Sequence, residues 1–398
     1  MNKSGRALLL VSTAVFLASA TWFSGTAAAP FLKEIWNLGE VGSSWLTVAV
    51  QLGFIFGTFF YALLNLADIF RTRKVFFVSA LLGALVNAAF AMASKSFGLA
   101  LALRFLTGIT LAGVYPVGMK IVAQWFRTGL GWRLGIMVGA LTAGTAVPYL
   151  FFAVGARIDW RILILAASGF AVAGGLLVLL GVPDGPFLKD TPRFEARAAF
   201  RIFRLRTFRL QAFGYFGHMW ELYAFWSLVS SYLAASFAVN APQFTGSVPF
   251  ISFLAIGTGI FGCILGGWMS RSVGERKVAL AFLIASTLFC GLSGFLFRLP
   301  PGLLIPAVLL WGTVVVSDSP QFSALAAVSC PPEYTGTALT IQNGIGFGLT
   351  VISIQLTAWL SQRLGWQWVF VFLAAGPLLG AVAMARLKNS ASSASSSS

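Results

Sequence analysis

Between its second and third apolar runs the chain reads Asp68-Ile-Phe-Arg-Thr-Arg-Lys74, and between its eighth and ninth it reads Ser270-Arg-Ser-Val-Gly-Glu-Arg-Lys277. Both are short basic connections at the same place in two halves of the chain, so the sequence contains itself twice. Other pairs follow the same offset of about 204 residues, the mark of an internally repeated membrane architecture. Tyr115-Pro116 matches Ser319-Pro320, Trp22 matches Trp226, and Gly139 and Gly144 match Asn343 and Gly348.

The runs between these connections fix the solvent. The 398 residues are 58% hydrophobic and 10% charged, against roughly 25% charged in a soluble domain. With a mean hydropathy of +0.87, the chain cannot hide its apolar side chains in a water-soluble core. A segment of about 20 apolar residues crosses a hydrocarbon core of about 30 Å as a helix. Twelve such segments are expected, at 7–30, 44–66, 75–93, 97–125, 134–154 and 162–182 in the first half. The second half gives 212–234, 248–269, 278–297, 302–330, 337–360 and 366–387. Each must be helical, because lipid offers no partner to an unpaired amide. The first run is too long for the apolar core of a cleaved leader, and it is read as a span.

The expected fold is therefore an all-α integral membrane protein of two six-helix pseudo-repeats. Residues 1–182 form the first bundle, 183–211 a central loop, 212–387 the second bundle, and 388–398 a serine-rich disordered tail. The net charge of +16 would suggest nucleic acid in a soluble protein. Here it maps sidedness: with the N-terminus in the cytoplasm, 20 of the 27 Lys and Arg fall on that side, as the positive-inside rule requires. Both termini are then cytoplasmic, in an inner membrane, and no nucleic-acid partner is expected. The central stretch 192–210 alternates Arg193, Arg197, Arg201 and Arg204 with Phe194, Phe200, Phe203 and Phe208. It reads as a basic amphipathic helix on anionic lipid, or as a solvated linker.

At this point the chain resembles the major facilitator superfamily of secondary transporters, along essentially its whole length. Asp68, Arg73 and Lys74 match the family's signature between spans two and three, with Leu64 and Arg71 where the family has glycines. The second copy keeps Gly266, Arg271, Gly274, Arg276 and Lys277, with Ser270 replacing the acid. The resemblance implies a gating role for Asp68, Arg73, Lys74, Arg271, Arg276 and Lys277. Arg104-Phe-Leu-Thr-Gly108 resembles the family's Arg-x-x-x-Gly element. Gly135, Gly139 and Gly144 partly match its antiporter glycine motif, with Ala140 in place of proline. The 343–348 stretch is similar to porters of small anions such as nitrate and cyanate.

Ionisable groups inside spans are costly and are functional candidates by default. Span seven carries His218 and Glu221 three positions apart, on one helical face, with Trp220, Tyr223 and Trp226 around them. Glu221 with His218 is expected to couple transport to protons; a structural pair bridging spans is the alternative. Arg104 in span four either binds an anionic solute through its planar fork, regulates a carboxylate, or snorkels to headgroups. Asp318 lies beside Pro320, where the helix must kink; it lines a path or belongs to an inner gate. Gln342 and Asn343 in span eleven, with Trp22, complete the cavity candidates.

The three cysteines form no CxxC pair and there is one histidine, so neither a disulfide framework nor a metal site is expected. No HExxH, GxSxG or Walker loop is present, which argues against an enzyme or an ATP-driven pump. No cofactor is expected. The expected partners are a small solute, protons and lipid, with the chain a monomer. Secondary transport by alternating access, of a small anion and with proton coupling, is the expected function. Efflux of an amphiphilic drug or metabolite is the second reading.

Overall fold

A computed structural model of the chain describes residues 2–92, 96–126, 130–154, 159–187, 198–331 and 334–387. Among the described residues there are helices and no strands, as a chain solvated by lipid demands. Among the described residues, eleven helices are long and apolar enough to cross a membrane. Spans two and three are Glu40–Leu63 and Thr72–Met92. Span four is Phe97–Ala112 continued by Tyr115–Ala123, and spans five and six are Leu130–Val154 and Trp160–Gly181. Span seven is Arg206–Asn240; span eight joins Val248–Gly257 to Gly259–Val273; span nine is Glu275–Leu296. Span ten joins Pro301–Val314 to Ser319–Val328, span eleven is Thr335–Leu364, and span twelve runs from Trp366 to Arg386.

The first span departs from the expected continuous helix. Lys3–Ser19 stops after 17 residues, and the chain resumes as Ser24–Ala27 and Ala29–Trp36. The interruption at 20–23 carries no proline, so local chemistry does not announce it. The breaks in spans four and ten do have a local cause. Each second segment starts on the residue before a proline, Tyr115 and Ser319, and proline removes a ladder donor while clashing with the turn behind it. These starting points are equivalent in the two copies.

The described part of the central stretch packs on the second bundle through one of its faces. Phe200 is exposed on the short helix Ala198–Arg204. Ile202 and Phe208, however, are buried against Ala326, Cys330 and Ala338 of spans ten and eleven. Phe203 meets Phe208 edge-on at 5.2 Å. Phe203 and Phe208 thus pack on the end of the second bundle, while Phe200 stays exposed. Phe194 and Arg193, the 388–398 tail and the Asp68 side chain lie outside the described residues.

The bundles meet along two seams. Span five lies on span eight, where a Cβ on Gly135 would come 3.3 Å from Cys263 O and one on Gly139 3.0 Å from Ile260. Span two lies on span eleven, where Gly344 faces the Phe59 ring. Gly262 and Gly266 serve a different contact: their backbones press on Thr313 and Ser317 of span ten. Such close approach is how helices pack where no hydrophobic effect drives them together.

Candidate functional site

A cavity of about 40 Å³ lies between the bundles, with room for little more than water. Tyr115, Val138 and Leu141 close it from the first bundle. Tyr215, Tyr223, Trp226, Ser319, Ser323, Asn343 and Phe347 close it from the second. Tyr215 donates its hydroxyl to Asn343 Oδ1 at 3.0 Å. The wall is therefore aromatic with a few hydroxyls and one amide, and no lysine or arginine is among its lining residues. Polar donors set in an apolar wall are the usual composition of a small-molecule site.

Aromatic contacts across the bundles cap this cavity. Trp22 packs on Phe54 of its own bundle at 4.9 Å and on Tyr223 and Phe347 of the other at 5.8 and 5.9 Å. Phe23 stacks on Tyr223 and meets Trp226 edge-on. Trp22 and Trp226, equivalent positions of the repeat, thus lie in one aromatic cluster. On the side away from the chain termini, Ser231 of span seven donates to Glu40 Oε2 at 3.4 Å, while Lys33 holds Oε1 at 2.6 Å.

Arg104 is fully buried, so the snorkelling reading is corrected. Its guanidinium donates to the backbone oxygens of Thr21 (3.0 Å) and Trp22, to Ser24 Oγ (3.2 Å) and to Asn87 Oδ1 (3.0 Å). The break in span one frees those carbonyls from the helical ladder, and a planar fork with five N–H groups can collect them. No carboxylate lies within ion-pair distance of Arg104 among the described residues. Its donors are committed to spans one, two and three rather than to the cavity, and the bonds to span one fix the place of Trp22.

His218 and Glu221 share a helix face but take different neighbours from the adjoining spans. Glu221 accepts from Ser286 Oγ of span nine at 2.5 Å and from Trp311 Nε1 of span ten at 2.8 Å. His218 Nδ1 lies 2.8 Å from Asp318 Oδ1, with both side chains almost fully buried. A pair one helical turn apart lies along the axis, whereas neighbouring spans put partners directly opposite. Asp318 sits where span ten is interrupted, immediately before the lining residue Ser319.

The other candidates separate in the same way. Tyr223, Trp226 and Asn343 line the cavity. Gln342 instead accepts from Gln211 at 2.7 Å, inside the second bundle. Trp220 packs against Gly376 of span twelve. Of the signature residues, Arg73 and Arg71 approach Asp184 at 3.7 and 4.0 Å. Arg276 donates to Met384 O and Ala385 O, capping the end of span twelve. Lys74, Arg271 and Lys277 are exposed. Gly274, with φ of +86°, supplies the left-handed turn between spans eight and nine that a side chain would strain. Sequence reasoning missed Trp311, Ser286 and Asn87. Asn87 had a signal, as a lone amide in the apolar run of span three; Trp311 had none.

The chain matches the model of the Major Facilitator Superfamily over residues 11–354. It is 25% identical over 405 residues to a probable sulfoacetate transporter of Cupriavidus necator, covering 94% of this chain and 90% of that one. It is 24% identical over 415 residues to a 4-hydroxybenzoate transporter of Pseudomonas aeruginosa, covering 93% and 88%. Among solved structures, a nucleoside transporter, NupG, superposes with a TM-score of 0.71 at 14% identity, covering 96% of this chain and all of that one. The protein belongs to the Major Facilitator Superfamily and is a multi-pass membrane transporter.

Proposed function

We propose that this member of the superfamily carries a small organic anion across the cytoplasmic membrane, with both chain ends in the cytoplasm, by rocking its two bundles about the central cavity. A proton accompanies the solute. The observation that carries this reading is the cavity itself: it lies between the repeats, where an alternating-access transporter binds its solute. Tyrosine and serine hydroxyls and Asn343 supply hydrogen-bond donors suited to a carboxylate or sulfonate. The full-length relatives named for sulfoacetate and 4-hydroxybenzoate support the anion class.

Alternating access requires the contacts between bundles to part in turn. Those of Glu40 with Ser231 and Trp22 with Tyr223 are suited to the side away from the termini, and Gly344 with Phe59 to the other. The buried ionisable groups Glu221, His218 and Asp318 supply places for a proton within a turn of the cavity. Asp68 remains a candidate gate on the strength of its motif. The aromatic lining favours a second reading, outward extrusion of an amphiphile against a proton gradient.

The test is uptake into proteoliposomes of radiolabelled sulfoacetate, 4-hydroxybenzoate and nicotinate, with and without an imposed pH gradient. Accumulation of at least one anion, driven by an outside-acid gradient and abolished by an uncoupler, is expected. Proton-driven export of a cationic dye with no anion accumulation would overturn the anion reading.

A further inference from the structure

Span two turns a row of polar residues toward the second bundle. Glu40, Ser44, Thr47, Gln51 and Thr58 recur at intervals of three, four and seven, so they share one face of the helix. Contacts on either side of Gln51 fix where this face points. Glu40 accepts from Ser231 of span seven, and Phe54, one turn after Gln51, packs on Phe347 of span eleven at 4.5 Å. Gln51 therefore lies between the bundles, one turn from the aromatic cap on the side away from the chain termini. Glu40, Ser44 and Thr47 are each paired, with Ser231, Val41 O and Thr26. Gln51 is fully buried, yet neither its amide oxygen nor its amide nitrogen has a hydrogen-bond partner among the described residues. Trp22, whose ring packs on Phe54, also leaves its indole N–H unpartnered, as Thr58 does its hydroxyl.

A buried amide with nothing to bond is unfavourable for as long as the bundles stay closed on it, and an apolar side chain of the same length would suit that space better. The two bare atoms are of opposite kind: Oε1 accepts, while Nε2 donates. A carboxylate or sulfonate only accepts, and would leave Oε1 bare. A hydroxyl gives and takes, and satisfies both. We propose that Gln51 is a specificity-determining contact for the transported anion, binding a hydroxyl at the end of the solute opposite its acid group once the seam at Glu40 and Ser231 opens. The acid group is left to the donors of the central cavity. The two places are close enough for one small molecule: Phe347 lines the cavity and touches Phe54, one turn from Gln51. A para-hydroxylated benzoate spans slightly more than one helical turn between its polar ends. The inference rests on the anion reading above and narrows it to hydroxylated anions.

The test compares 4-hydroxybenzoate with 4-methylbenzoate, which presents a methyl group of similar size in place of the hydroxyl. Binding to the full-length protein in nanodiscs is measured by calorimetry. Wild type is expected to prefer the hydroxylated compound about tenfold, and Gln51→Met to reduce that preference below about twofold. A shift between open and closed forms acts on both compounds alike, so the ratio cancels it. Thermal unfolding separates this role from a structural one: Gln51→Met is expected to unfold at the wild-type temperature or above, since it removes an unpaired buried amide. A preference that survives the substitution, or a variant that unfolds markedly earlier, overturns the proposal. A second measurement needs no solute. With the natural thiols removed, Gln51→Cys in intact cells is expected to react with an impermeant maleimide from outside, and no labelling overturns the proposal. The neutral compound 4-hydroxybenzamide tells the two readings apart. If it binds as tightly as 4-hydroxybenzoate and the hydroxyl preference still depends on Gln51, this contact stands and the anion reading falls. If it does not bind, and wild type takes 4-methylbenzoate as well as 4-hydroxybenzoate, the anion reading stands and this contact falls.

Discussion

Glu221 gives the most sharply divided prediction, because two replacements of nearly equal size meet its two partners differently. Glutamine can turn its carbonyl oxygen to Trp311 Nε1 and its amide to Ser286 Oγ, which as a hydroxyl can accept as well as donate. Both buried groups stay satisfied, and Glu221→Gln should cost less than about 1 kcal/mol. Leucine satisfies neither. Ser286 can rotate to a carbonyl one turn back in its own helix, but an indole N–H cannot leave its ring plane. The loss therefore falls on Trp311, at about 1–3 kcal/mol for one buried unsatisfied donor, less the relief of no longer burying a carboxylate. Changing Trp311 to Phe removes that donor, so Glu221→Leu and Trp311→Phe together should cost about 1–2 kcal/mol less than the sum of the two alone. Equilibrium unfolding in mixed micelles can be read by a thiol-reactive dye. Cys263, Cys290 and Cys330 are all buried thiols, and they react when the protein opens. A Gln variant as unstable as the Leu variant, or strictly additive single losses, would refute the hydrogen-bond account of this residue.

Arg104→Lys keeps the charge but cannot reach Thr21 O, Trp22 O and Asn87 together, and should cost about 1–3 kcal/mol in the same unfolding assay. Wild-type stability would show that the fork does not hold the break. Paired cysteines at Glu40 and Ser231, in a background lacking the natural thiols, should form a disulfide across the bundles that arrests uptake and is released by reductant; undiminished uptake when oxidised would show that this contact need not open. Gly344→Ala places a Cβ 2.7 Å from the Phe59 ring. A strain of about 1 kcal/mol there should raise the labelling rate of a cysteine at Ser323 about fivefold, through a larger open population; an unchanged rate would place the moving contact elsewhere.

How much of this was legible beforehand depended on the range of the interaction involved. The spans, their repeat and the breaks before Pro116 and Pro320 were readable because hydropathy and proline geometry act over one helix. That Arg104, His218, Glu221 and Asp318 are exceptional was readable too, because a buried charge is expensive wherever it stands. Partner choice was not. His218 and Glu221 look paired at three positions' separation, yet each takes a partner from a neighbouring span. The break of span one lacks any local breaker, and its carbonyls are held by an arginine some eighty residues away.

By itself the sequence determined that this chain lives in lipid as two six-helix copies, since the exclusion of water from an apolar helix is a local property summed along the chain. The tertiary structure alone decided what the scarce charges do. Arg104 holds the broken first span to Asn87 of span three, Glu221 meets Trp311 and Ser286, and His218 lies against Asp318 beside the cavity. In a medium without water, each polar group must find its partner in protein, and only the packing of helices determines which partner comes within 3 Å.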